Sequence, residues 1–154
     1  MDKVSFDARI ESMIARYEYP VYVIHPDEKI DCACQDFTTH QGDPRCRHCF
    51  GLGKKITIRK LPAAVQPCVN AATPFHNEKT ARVYYTRHPY PVKKYDVIVD
   101  RHHVDVVQQS RRFQSDHYKP VYFMIQTLPM DMNRELFYTL FYDVVLGGDP
   151  YRQT

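Results

Sequence analysis

Four of the five cysteines fall in two close pairs, Cys32-Ala33-Cys34 and, eleven residues later, Cys46-Arg47-His48-Cys49. This spacing constrains the chain more than any other feature. Two short Cys-x-(x)-Cys turns joined by a modest loop bring four thiolates together at small entropic cost, and zinc prefers four sulfur or nitrogen ligands in a tetrahedron. Gly51 and Gly53 follow the second pair. Lacking Cβ atoms, they let the backbone turn tightly and aim N–H groups at the sulfurs. The spacing therefore predicts a structural Zn2+ bound by Cys32, Cys34, Cys46 and Cys49, since four protein ligands leave no open catalytic position. Free or disulfide-linked thiols are the first alternative. The Cys-x-Cys half is tighter than the usual knuckle, so a second alternative has His40 or His48 replacing one thiolate.

At 154 residues the chain can bury a core of its own and needs no disulfides to compensate for a small one. One domain, 1–154, is expected, and a reducing compartment suits the close-spaced cysteines. The N-terminal stretch mixes acids and bases where a signal peptide would be apolar. Glu135 to Leu146, the longest mostly apolar run, is far short of the roughly 20 residues that cross a bilayer, so no membrane partner is expected. A formal charge of +3 does not decide the function, and a four-thiolate zinc site would lower it to about +1.

Hydrophobic spacing divides the domain into 1–30, an N-terminal helix and strand; 31–53, the zinc loop; and 54–154, a β-rich body with a C-terminal helix. Phe6, Ile10, Met13, Ile14 and Tyr17 form one helical face, with Ser5 as N-cap and Tyr19-Pro20 as the stop. Strands are expected at 21–24, 55–61, 82–86, 95–99, 104–108 and 121–127. Pro62 to Lys79 reads as a long Pro-punctuated connection whose role the sequence leaves open, as it does for Cys68. At the C-terminus Leu136, Phe137, Leu140, Phe141, Val144 and Val145 recur at helical spacing, between Asn133 as cap and Gly147-Gly148 as stop. The fold class is α+β, mainly β: a small antiparallel barrel or sandwich with an N-terminal helix, a four-cysteine loop and a C-terminal helix.

Other constellations carry less. Asp100, His102, His103 and Asp105 read as a solvated hairpin turn rather than a metal or catalytic site, because adjacent strand histidines point to opposite faces. Gly51-Leu52-Gly53-Lys54 lacks the spacing of a phosphate loop. Arg45, Arg47, Lys54, Lys55, Arg59 and Lys60 make a basic segment around the cysteines. It offsets the negative cage, and it also keeps a zinc-ribbon nucleic-acid-binding module open as an alternative function.

The half Cys46-Arg47-His48-Cys49-Phe50-Gly51-Leu52-Gly53 is similar to the CxxCxGxG unit of DnaJ-type chaperones, which repeat it, whereas this chain has one copy and no J-domain signature. The larger pattern combines an N-terminal helix, Tyr19-Pro20-Val21-Tyr22-Val23-Ile24, Cys-x-Cys, Gly42-Asp43-Pro44-x-Cys-x-x-Cys-x-Gly-x-Gly-Lys54 and a strand-rich half. From Ile14 to Val107, and most specifically from Asp31 to Gly53, it resembles small zinc-binding virion structural proteins of tailed bacteriophages, of the neck or head-to-tail connector type. The resemblance implies a non-enzymatic adaptor or head-closure (head completion) protein, made in the host cytoplasm and residing in the virion. Its partners would be identical subunits in an oligomeric ring and portal, adaptor or tail proteins, with non-specific contact to packaged DNA. Twelve Tyr and no Trp suit a protein that buries surface against neighbours. On this reading Lys55 and Arg59, on the polar face of the strand after the loop, and Phe137 and Phe141, on the last helix, are expected at partner contacts.

Overall fold

A computed structural model of the chain describes residues 3–67, 82–87, 91–101, 103–114, 120–130 and 134–147. Helix α1 (Lys3–Tyr17) leads into β1 (Tyr19–Asp31) and β2 (Lys54–Pro67), then β3 (Arg82–Thr86), β4 (Val97–Asp100), β5 (His103–Gln114), β6 (Pro120–Pro129) and helix α2 (Arg134–Val145). The strands close into an antiparallel barrel in the order β1-β2-β3-β6-β5-β4. Two three-stranded meanders, β1–β3 and β4–β6, are joined by the β3–β6 and β1–β4 pairings, so the two halves have the same strand order. Closure leaves every one of the described strands with a neighbour on both sides.

Side-chain alternation explains two cores. Val21 and Val23 of β1, Leu61 and Ala63 of β2, Tyr84 of β3, Ile98 of β4, Val107 of β5 and Ile125 of β6 fill the barrel. Ile24, Val97, Val99 and Val104 point outward and pack under α2, against Phe137 and Phe141. The continuous apolar runs Val21–Ile24 and Val97–Val99 thus mark strands buried on both faces. On α1, which packs on β2 and β6, Ile14 is buried while Met13 and Tyr17 are 56% and 62% exposed. Its face is narrower than the spacing suggested.

Several boundaries differ from the sequence reading. The first helix begins at Lys3, ahead of Ser5, so Ser5 lies inside it rather than capping it. β1 runs through Pro26 to Asp31, and β2 runs through Pro62 to Pro67. Pro62 is tolerated because it stands opposite Pro20, so that the two missing donors coincide, while Pro26 keeps its place opposite Ile56 near the end of the hairpin register. The long connection therefore starts after Pro67; Cys68 and residues 68–79 lie outside the described residues, as do His102 and Asn133. Tyr95 belongs to a turn before β4 rather than to the strand. Gly147, with φ 59°, ends α2 in the left-handed conformation expected of a helix stop.

In the Asp100–Asp105 hairpin, which the sequence reads as a solvated turn, the two aspartates are buried, while His103 is exposed. Asp105 pairs in register with Ile98, so it shares the inward face with Ile98 and Asp100; both aspartates are 1–2% exposed. Arg82 Nη1 donates to Asp105 Oδ1 at 2.7 Å, Thr127 to its Oδ2 at 3.2 Å, and Tyr19 to Asp100 Oδ2 at 2.8 Å. The single Tyr84 hydroxyl stands 3.2 Å from both Asp100 Oδ2 and Asp105 Oδ2. Burial raises the Asp105 carboxyl above its ordinary value, against the opposing pull of Arg82.

Candidate metal centre

The cysteine loop interrupts the β1–β2 hairpin, and its neck is closed by the strand pair Asp31–Lys54, whose side chains meet at 2.5 Å. The Lys54 ammonium, as hydrogen-bond partner, holds the Asp31 carboxyl below its usual range. Within the neck the backbone bonds to itself: Cys32 N–H donates to Gly53 O at 3.0 Å and Gln35 N–H to Cys32 O at 3.0 Å, while Phe50 N–H donates to Cys46 O at 2.9 Å. Asp36 and Asp43 brace the irregular stretch by accepting the amides of Thr38 at 2.7 Å and Arg45 at 2.9 Å. These short side-chain caps replace the ladder that a loop of this length lacks.

The four sulfurs converge. All lie within 4.8 Å of one another, with Cys32 and Cys46 at 3.7 Å and Cys34 and Cys49 at 3.4 Å. A disulfide would need about 2.05 Å, so none of these pairs is bonded. A tetrahedron with metal–sulfur bonds of about 2.3 Å has edges of about 3.8 Å, and the observed separations fit that cage. Among the described residues this is the group able to hold a metal ion, and neither His40 nor His48 belongs to it. Soft thiolate donors select metals of the zinc or iron type over magnesium or calcium.

Backbone donors complete the cage. The amides of His48 and Gly53 donate to Cys46 Sγ and Cys49 Sγ at 3.4 Å, and that of Asp43 to Cys34 Sγ at 3.5 Å. Gly51 and Gly53 adopt φ of 92° and 76°, as the turn after Cys49 demands. Gly42 was not singled out by spacing, yet a Cβ there would stand 2.4 Å from Gly53 N, so the two arms of the loop cross where only hydrogen fits.

The thiols do not ionise alike. Burial opposes ionisation of Cys46, but the amides of His48 and Cys49 outweigh it and hold this thiol down at about 7. Burial pushes Cys49 up to about 12, over the opposing amides of Gly53 and Gly51, and raises Cys34 as well. Four adjacent thiolates therefore need a cation, and metal binding would displace protons.

The loop is anchored to α2. Phe50 packs 5.7 Å from both Phe137 and Phe141, and Arg47 Nη1 meets Asp143 Oδ2 at 3.0 Å. Phe137 and Phe141, expected at a partner contact, are 2% and 0% exposed; they are covered by their own chain. An apolar helix face read without its surroundings overstates what remains outside, because the cysteine loop supplies a third layer that the sequence does not announce. Lys55 and Arg59 do lie on the exposed face of β2. Arg47 and Lys54, two of the six cations of the basic segment, are engaged in ion pairs.

Comparison of the sequence with protein-family models and with curated proteins finds no match. Among the described residues, no helix is long and apolar enough to cross a membrane.

Proposed function

We propose that the chain is a structural protein of a tailed-bacteriophage virion, a neck or head-to-tail connector subunit of the adaptor or head-closure type that assembles into a ring, with Zn2+ held by Cys32, Cys34, Cys46 and Cys49 in a structural role. The observation that carries the reading is the closed four-sulfur cage on a loop that is fastened to α2 at its base and carries Phe37, 98% exposed, farther out. An aromatic side chain held in solvent by a cross-linked loop is suited to anchor a neighbouring subunit at little conformational cost. Phe113, stacked on Tyr122 at 4.6 Å and 37% exposed, offers a second aromatic patch on the β5–β6 face, and ring contacts need two different patches on each subunit. The motif resemblance supplies the assignment to the neck. Lys55 and Arg59 add a charged rim that steers the partner without reading bases.

The test is identification of the chain by mass spectrometry in purified virions, followed by cryo-electron microscopy of the neck. A ring of this barrel between portal and tail is expected, and absence of the chain from particles overturns the reading. Elemental analysis should find one zinc per chain. Reversing charge at Lys55 and Arg59 should weaken assembly while leaving the barrel folded.

The second reading, a zinc-ribbon nucleic-acid-binding module, draws on the exposed Arg45, Lys55 and Arg59 around the cage. Sequence-selective duplex binding that falls steeply with salt and is lost on those charge reversals would put it first.

A further inference from the structure

A second site lies in the turn that enters β4. His25 of β1 places Nδ1 2.6 Å from Oδ1 of Asp96, whose side chain is 1% exposed, and the other carboxylate oxygen accepts the amide of Lys93 at 3.0 Å. A buried carboxylate at Nδ1 fixes the proton on that nitrogen and the plane of the ring, so Nε2 is the atom left for a ligand. Nε2 has no protein hydrogen-bond partner among the described residues. The imidazole, 39% exposed, lines a cleft of about 290 Å³ together with Lys29, Lys93, Lys94 and Tyr95.

The acids on the same wall are Asp27 and Glu28. Asp27 stands opposite Lys55 in the strand register, and its Oδ1 accepts the Lys29 amide at 2.9 Å; with Asp96 turned to His25 and Lys93, the lining holds three carboxylates against three lysines and the imidazole. Tyr95 is the most telling residue. It holds φ at 75°, a left-handed backbone that glycine would adopt without cost, yet its ring is 60% exposed with Lys94 Nζ 5.1 Å from the ring centroid. The conformation is enforced from both sides: Tyr95 N–H donates to Val107 O at 2.9 Å, Val107 N–H to Asp96 O at 2.8 Å, and Asp96 N–H to Lys93 O at 3.1 Å. A strained turn that presents an aromatic face beside the Lys94 ammonium, in a cleft shared with Lys29, Lys93 and an oriented imidazole, spends stability on a surface, not on a core.

We propose that this cleft binds a nucleotide, its phosphate held by His25 Nε2 and the ammonium groups of Lys29, Lys93 and Lys94, and its base stacked on Tyr95. The phosphate meets Nε2 on the side of the ring opposite Asp96, which holds Nδ1 at 2.6 Å and so fixes the direction in which Nε2 points. Stacking on Tyr95 tolerates any base, since each has a π-face. The site lies within one chain and needs no neighbouring subunit, so it stands apart from the ring reading.

The experiment is an NMR titration of the full metal-loaded chain at low salt with thymidine 5′-monophosphate, and in parallel with inorganic phosphate, thymidine and a short oligothymidylate. Saturable shifts of the His25 ring and the Lys93–Asp96 amides are expected, with the monophosphate bound about tenfold tighter than inorganic phosphate. His25→Asn keeps a donor near the position of Nδ1, and so keeps Asp96 paired, but removes Nε2; it should retain the melting temperature and bind the monophosphate about tenfold more weakly. Tyr95→Gly relieves the left-handed backbone; it should keep or raise the melting temperature while lowering monophosphate affinity to that of phosphate alone. Tighter, salt-sensitive binding of the oligomer identifies a strand as the source of the nucleotide, and equal binding identifies the free nucleotide. Absence of saturable shifts, or affinity unchanged in both folded variants, overturns the proposal.

Discussion

The ring of Phe50, the residue directly after the last cysteine of the cage, packs 5.7 Å from that of Phe137, tilted by 59°. The cysteine loop and the C-terminal helix thus share one hydrophobic layer outside the barrel. Removing the metal with a chelator should release α2 along with the loop, while the barrel, with its own buried aliphatic interior, keeps its protection. Hydrogen exchange followed by mass spectrometry would show this as fast exchange in 32–53 and 134–145 with slow exchange in β1, β4 and β6. Global unfolding on chelation would mean the barrel core does not stand alone.

Phe137→Ala and Phe141→Ala remove rings that are covered by the same chain. Each should cost the isolated protein about 3–5 kcal/mol, measured as a lower urea midpoint at unchanged slope. Loss of assembly with an unchanged monomer would instead place these rings at a subunit contact.

Gly42→Ala sets a Cβ 2.4 Å from Gly53 N, so the crossing of the loop arms must open. The Gly53 amide that donates to Cys49 then moves, and metal affinity should fall about tenfold or more. Competition with a chromogenic chelator measures this, and circular dichroism of the strands should be unaltered.

Arg82→Met leaves the Asp105 carboxylate buried beside Tyr84 and Thr127 without its cation. The cost should be about 3–5 kcal/mol at pH 8. It should shrink on acidification. Burial raises the folded carboxyl above its ordinary 3.8, so Asp105 contributes most to stability below that value and progressively less as pH rises through its folded titration. Protonated, it no longer needs the guanidinium. Denaturation midpoints of wild type and variant at pH 5 and pH 8 test the sign, and a penalty that grows on acidification would contradict it.

The order of elements, the cysteine pairing into one cage and the role of Gly51 and Gly53 were legible in the sequence because each follows from local rules: period, close ligand spacing and positive φ. Strand ends were less legible. Pro26 and Pro62 read as stops, yet the hairpin register carries both through, with Pro62 opposite Pro20 and Pro26 opposite Ile56. His25 and Asp96 lie seventy-one positions apart and leave no trace in spacing, so their meeting depends on β1 lying beside β4.

What the sequence determined by itself is a mainly β domain with a helix at each end and a loop that gathers four cysteines at metal-ligand spacing, since periodicity and ligand spacing act over a few residues. Tertiary structure alone decided which faces were covered. Barrel closure turned Asp100 and Asp105 inward with Ile98, and Phe50 sealed the helix face that looked free. Burial is a property of surfaces brought together from distant parts of the chain, and no local pattern records what will lie on the other side.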